Sequence, residues 1–232
     1  MFINGFDILW DEVDDYVADI QSIRSIDQLT FSKPVTFFCG ENGSGKSTLL
    51  EALAIKNGLN PEGGTRNYDF STYDSYSSLH KHMRLWRSRK PDWMYFLRAE
   101  SFYNVATKEM EYSGVFSERY HDQSHGQSFF SVLMKQTNKN GLYLLDEPEA
   151  ALSCQNQLAL LYLIQSCVKQ NCQFIIATHS PILLGFPGAQ ILSFDDGKVE
   201  EVDYKSTSSY QTMKLFLDRY DYFVKDIKEN EI

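Results

Sequence analysis

The stretch FFCGENGSGKSTLLEAL, Phe37 to Leu53, limits the fold more than any other part of this chain. Two aromatic residues and a cysteine run into a glycine-rich turn. A lysine, two hydroxyls and the apolar spacing of a helix follow. Gly40 to Ser47 satisfies G-x-x-x-x-G-K-[ST] in full, a pattern that has meaning only between a strand and a helix. A buried strand is therefore expected at Val35–Cys39 and a helix at Ser47–Ile55, with Leu49, Leu50, Leu53 and Ala54 on one face. In that setting Gly43 and Gly45 let the backbone turn its N–H groups toward a phosphate, and the helix start adds positive potential. Lys46 would reach the terminal phosphates and Ser47 would ligate Mg2+. Gly40, Asn42, Gly43, Ser44, Gly45, Lys46, Ser47 and Thr48 form the candidate nucleotide-binding set.

A phosphate loop needs a second oxygen ligand for its cation, carried on a neighbouring strand. LYLLDEPEAALS, Leu142 to Ser153, supplies one: four apolar residues deliver Asp146 to a strand end. Asp146 joins Ser47 as a candidate Mg2+ ligand. Glu147, next in sequence, is placed to polarise a water for attack on the γ-phosphate. A third buried run, FIIA (Phe174 to Ala177), ends in THSP, and His179 there is positioned to bond the γ-phosphate or orient the water. Glu147 and His179 are the candidate catalytic residues.

Between these motifs the text alternates strands and helices, which indicates an α/β fold with a mostly parallel sheet. Asn57 to Asp92 reads as an excursion from that sheet, part loop and part helix. WMYFLR (Trp93 to Arg98) returns to strand, and FFSVLM reads as a short helix. A long amphipathic helix is expected with Leu158, Leu161, Ile164 and Val168 on its apolar face. ILSFDDGKVEEV reads as a hairpin closed at Asp195-Asp196-Gly197. The tail from Ser208, with Met213, Phe216, Leu217, Tyr220 and Phe223, reads as helix.

Composition narrows the function classes. At 43% hydrophobic and 23% charged the chain is ordinary globular material. No apolar run approaches the ~20 residues that cross a bilayer, and the acidic start MFINGFDILWDEVDD does not resemble a secretory signal, so a cytoplasmic protein is expected. Cys39, Cys154, Cys167 and Cys172 lack metal-site spacing and are expected as reduced thiols. The net charge of −9 argues against a protein coated for duplex binding. One basic stretch, His80 to Lys90, stands out, as either a nucleic-acid contact or the solvated face of a surface helix.

The ordered set GENGSGKST, SHGQ, LYLLDEPEAALS and ATHSP resembles the ATP-binding cassette ATPases, in particular the heads of SMC, RecF and OLD-type proteins and the small bacterial predicted AAA-family ATPases related to them. The resemblance runs from about Gln28 to Ser193. It implies a P-loop NTPase fold: a mostly parallel central sheet, an antiparallel β edge and a helical signature lobe, inserted at about 57–130 in a single domain spanning 1–232. It implies ATP hydrolysis with Mg2+ as cofactor, and a homodimer closing around two ATP molecules. Ser124, His125, Gly126 and Gln127 stand where the family's signature binds the ATP of the opposite subunit. Some positions depart from the family: His125 replaces a glycine, Ala151-Leu152-Ser153 lacks the family's aspartate, and Glu100 stands near the place of the usual glutamine.

The length between the motifs leaves no room for a coiled-coil arm, so a bare ATPase head is expected. Glu41-Asn42, Glu51, Glu149 and ATHSP resemble head-type proteins acting in DNA repair, DNA maintenance or phage defence, with DNA or a protein effector as partner. The alternatives are the nucleotide-binding subunit of an ABC transporter and a nucleotide-switched interaction module.

Overall fold

The computed structural model describes residues 1–13, 15–65, 76–99, 133–134, 137 and 140–229. In chain order these form β1 (Ile3–Ile8), 3-10 turns at Trp10–Glu12 and Tyr16–Asp19, α1 (Gln21–Arg24), β2 (Gln28–Thr30), β3 (Val35–Cys39), α2 (Lys46–Lys56), α3 (Leu79–His82), β4 (Met83–Arg87) and β5 (Trp93–Arg98). Then come β6 (Gly141–Asp146), α4 (Cys154–Val168), β7 (Gln173–Ala177), α5 (Pro181–Leu184), β8 (Gln190–Ser193), β9 (Glu200–Glu201), α6 (Ser208–Asp218) and α7 (Tyr220–Glu229).

The fold is α/β. Among the described residues one sheet has the order β5-β6-β7-β3-β8-β9, parallel throughout except for the antiparallel β8–β9 edge. Apart from the exposed β9 edge, its strands are buried on both faces, as expected for a sheet covered on both sides. Successive residues alternate between two cores. Phe38, Leu144 and Ile175 face α2 and the N-terminal segment; Phe37, Leu145 and Ile176 face α4 and α5. A second, antiparallel sheet has the order β2-β1-β4 and closes over the α2 side.

Two buried glutamines tie these layers together. The Gln173 side-chain oxygen accepts from the N–H groups of Phe2 and Ile3, at 2.7 and 3.0 Å, and its amide donates to Ile3 O. Gln190 does the same for the entry to β3, accepting from Ser32 N and Thr36 Oγ1 and donating to Thr30 O. Satisfied amides of this kind let polar groups sit at a layer junction without the penalty of an unpaired donor or acceptor.

The strands expected at 35–39, 93–98, 142–145 and 174–177, the helix after the glycine turn, the hairpin at 195–197 and the helical tail are all present. Two expectations need correction. Within the supposed excursion, residues 83–87 form β4, paired with β1 and not set on a surface helix. Its exposed positions are Arg84 and Arg87, which give the text the look of a charged helix face. The apolar stripe on α4 is also turned from the expected one. Gln157, Leu160, Ile164 and Cys167 are buried while Leu158 is 51% exposed. Gln157 goes inside because its amide donates to Leu152 O and its oxygen accepts from Ser180 Oγ at 2.6 Å. The expected FFSVLM helix and the greater part of 57–130 lie outside the described residues apart from the elements named above.

Candidate functional site

The order β6-β7-β3 brings three carboxyl-terminal strand tips side by side, the crevice where open parallel sheets bind ligands. The loop after β3 turns through left-handed backbone at Gly43 (φ 77°) and Gly45 (φ 92°). At Gly45 a Cβ would sit 2.8 Å from Ile23 Cδ1, so the position excludes a side chain on space as well as on backbone angle.

Lys46 opens α2 and folds back over the loop. Its ammonium donates to Gly40 O at 2.9 Å, to Glu41 O at 2.7 Å and to Ser44 Oγ at 3.3 Å. Burial pushes its pKa below the usual lysine value, and the nearby carboxylates of Glu147, Asp195 and Asp146 pull the other way. The Ser47 hydroxyl donates to Asp146 Oδ1 at 2.8 Å, joining the start of α2 to the tip of β6. A hydroxyl and a carboxylate oxygen side by side at a phosphate loop fit Mg2+, a hard cation that takes few protein ligands and completes its shell with phosphate and water. No group of three or more His, Cys, Asp or Glu suited to a metal ion occurs among the described residues.

Glu147 adopts left-handed backbone (φ 49°, ψ 49°), uncommon for a residue with a side chain and characteristic of constrained sites. Its N–H donates to Ala177 O at 2.9 Å, which fixes the turn to β7. Its carboxylate Oε1 lies 3.6 Å from His179 Nε2, just beyond hydrogen-bond length. His179 is held through its backbone: its N–H donates to Glu149 Oε1 at 2.6 Å. Ser180 caps α5 and donates to Gln157, so the loop after β7 is fastened both to the loop after β6, at Glu149, and to α4.

Lys46, Ser47, Asp146, Glu147 and His179 thus meet at one end of the sheet. Asn42 and Gly43 are exposed at the loop tip, where a cleft of about 690 Å³ runs between the loop, Ser22 and Asp195. A second cavity, of about 670 Å³, lies between Glu41, His179 and the apolar side of α6. Ser124, His125, Gly126, Gln127 and Glu100 lie outside the described residues.

Several participants escaped the sequence reading. Asp195, read only as a hairpin closure, accepts the Glu41 N–H at 2.9 Å and braces the loop, and the Ser22 hydroxyl donates to Ser44 O. Arg98 reaches both Asp146 and Glu51. The available signal was an arginine ending an otherwise apolar buried strand. Burial raises the pKa of the Tyr16 phenol, with Thr48 beside it pulling the other way, although no motif marked that aromatic.

The basic stretch is more occupied than its text suggests. Arg84 pairs with Asp7 at 2.6 Å, Arg87 donates to Lys56 O and Asn57 Oδ1, and Arg89 donates to Asn171 O and lies over the Phe2 ring. Among the described residues no helix is long and apolar enough to cross a membrane.

Comparison with known proteins gives two family matches. A model described as "AAA domain" matches residues 18–77, which contain the phosphate loop. One described as "AAA ATPase domain" matches residues 125–184, which contain Asp146, Glu147 and His179. The chain is 28% identical to an uncharacterized ABC transporter ATP-binding protein of Haemophilus influenzae, over 67% of this chain and 68% of the relative. It is 29% identical to the cytochrome c biogenesis ATP-binding export protein CcmA of Rhizobium etli, over 66% of this chain and 78% of the relative. Among solved structures, cbiO1 of Clostridium perfringens, part of the ABC transporter complex cbiONQ, aligns with 97% of this chain and 100% of its own, with TM-score 0.49 and 16% identity.

Proposed function

We propose that this chain, an ATPase of the AAA/ABC class, binds Mg·ATP on Gly40–Thr48 and hydrolyses its terminal phosphate as the switch of an ATP-gated homodimer. The observation that carries the reading is the junction of Lys46, Ser47, Asp146 and Glu147 at adjacent strand tips. Lys46 exchanges the loop carbonyls for phosphate oxygens. Magnesium, held by Ser47 and Asp146, would neutralise charge on the phosphates. Glu147 orients the attacking water, and its main-chain bond to Ala177 keeps the carboxylate aimed there. His179, on the adjacent tip, contacts the γ-phosphate.

Ser124, His125, Gly126 and Gln127, within one domain spanning 1–232 and its lobe at about 57–130, are assigned to the ATP of the partner copy. Glu147→Gln tests the assignment. Hydrolysis should fall by about 10²–10⁴-fold with ATP binding retained, and gel filtration with ATP should give a persistent dimer. A variant that remains monomeric at saturating ATP rules out the ATP-gated dimer.

DEPEAALS and ATHSP favour a cytoplasmic head-type ATPase working on DNA or through a protein effector. DNA binding should then weaken steeply with salt and be lost on neutralising Arg84, Arg87 and Arg89. A second reading, the nucleotide-binding subunit of an ABC transporter, is favoured by the names of the two relatives. It predicts stable capture of a membrane partner and ATPase activity indifferent to DNA.

A further inference from the structure

Arg98 ends β5 directly opposite Asp146 in the parallel register of β5 and β6. Its guanidinium joins two carboxylates: NH1 lies 2.6 Å from Glu51 Oε2, and Nε lies 3.4 Å from Asp146 Oδ2. NH1 also reaches Pro61 O at 3.3 Å. The Glu51 and Asp146 side chains are only 13% and 7% exposed, so these charges are weakly screened. Asp146 is therefore held from two sides, Oδ1 by the Ser47 hydroxyl and Oδ2 by Arg98. The ring closes on α2, because Ser47 and Glu51 are one helical turn apart on the same face.

From this closed circuit of Ser47, Asp146, Arg98 and Glu51 we infer that Arg98 and Glu51 are positioning residues for the metal carboxylate. Arg98 sets the Asp146 side chain so that Oδ1 is presented beside Ser47. Glu51 cancels the guanidinium charge, which would otherwise oppose a divalent cation at that carboxylate. The three groups together carry the charge of one carboxylate, so the site gains a fixed geometry without losing its attraction for a dication. The inference rests on the Mg·ATP reading above.

The order of effects follows from charge. Removing Glu51 alone takes away a carboxylate 2.6 Å from the guanidinium and makes the surroundings of Asp146 one charge more positive. Removing Arg98 alone loosens Asp146 on its Oδ2 side but adds no opposing charge. Removing both returns the site to a single, less ordered carboxylate. Glu51→Gln should therefore weaken metal binding most, and the double variant Glu51→Gln/Arg98→Met should bind better than Glu51→Gln by itself.

Mn2+ serves as the probe, its binding followed by electron paramagnetic resonance with a non-hydrolysable ATP analogue present. Binding of the same analogue in EDTA and a thermal melt are measured in parallel. Glu51→Gln is expected to weaken Mn2+ binding at least about tenfold, while analogue binding in EDTA stays within about twofold of the parent. Mn2+ affinity within twofold of the parent overturns the inference. So does an equal loss in EDTA, the result of a purely structural ring, or a double variant weaker than Glu51→Gln. Should Glu51→Gln fail to melt cooperatively, Arg98→Lys keeps the charge and loses the two-pronged donor geometry; it should lower Mn2+ affinity alone, and unchanged affinity overturns the inference. A parent that binds the analogue neither with nor without metal instead refutes the nucleotide reading, and the positioning role falls with it.

Discussion

Two helices of this protein have the same length, eleven residues, and opposite surroundings. α2 follows the phosphate loop and has six buried residues, with Leu49, Leu50, Leu53 and Ala54 fully enclosed. α6 has no buried residue, although it carries Met213, Leu215, Phe216 and Leu217. Apolar content therefore does not decide burial. α2 is enclosed because both sheets close over it, and two of its polar side chains, Ser47 and Glu51, are engaged by Asp146 and Arg98. α6 meets instead the turn at Tyr204–Ser206, α5 and α7, beside the cavity at His179.

That contrast can be broken by experiment, and the largest effect is expected at the first residue of α2. Lys46→Ala should lower ATP affinity by about two to three powers of ten in a direct binding assay, because a charged donor to phosphate is lost. Lys214→Ala on α6, whose partner is Asp218 on the same helix, should leave affinity unchanged. The next largest concerns stability. Leu53→Ala should remove about 3 kcal/mol in urea unfolding, whereas Leu217→Ala, at a site 65% exposed, should change it by no more than about 0.5 kcal/mol. Equal losses would mean that α6 is covered in solution.

A smaller effect probes the bracing of the loop ahead of α2. Asp195→Ala removes the acceptor for Glu41 N–H and should weaken ATP binding by about tenfold or less, with the melting transition nearly unmoved. The smallest is a labelling pattern. Iodoacetamide at pH 8 should modify Cys154, which is exposed, while Cys39 stays unreacted until the protein unfolds, because burial pushes its thiol up to about 11. Early labelling of Cys39 would show that the floor of the phosphate loop opens in the native state.

Most of the main sheet was readable in the text because its strands are short apolar runs, and those of β3, β6 and β7 each led to a motif. The N-terminal sheet was not. β1 alternates only partly, β2 is three residues long, and β4 carries Arg84 and Arg87, whose partners, Asp7 and Asn57, are remote in sequence. The α4 stripe was misplaced for a related reason: a glutamine with two partners can go inside in place of a leucine, and no apolar period reports its partners.

Local order along the chain was enough to specify the phosphate loop, its helix, the acidic strand end and the histidine after β7, since glycine backbone freedom and helix-start chemistry act over a few neighbouring residues. The tertiary structure alone decided which distant groups hold that machinery in place. Arg98 with Glu51, Asp195 with Glu41 and Glu149 with the His179 backbone become neighbours only once strands far apart in sequence lie side by side. Charges and hydrogen bonds act through space, and the linear text carries no measure of that distance.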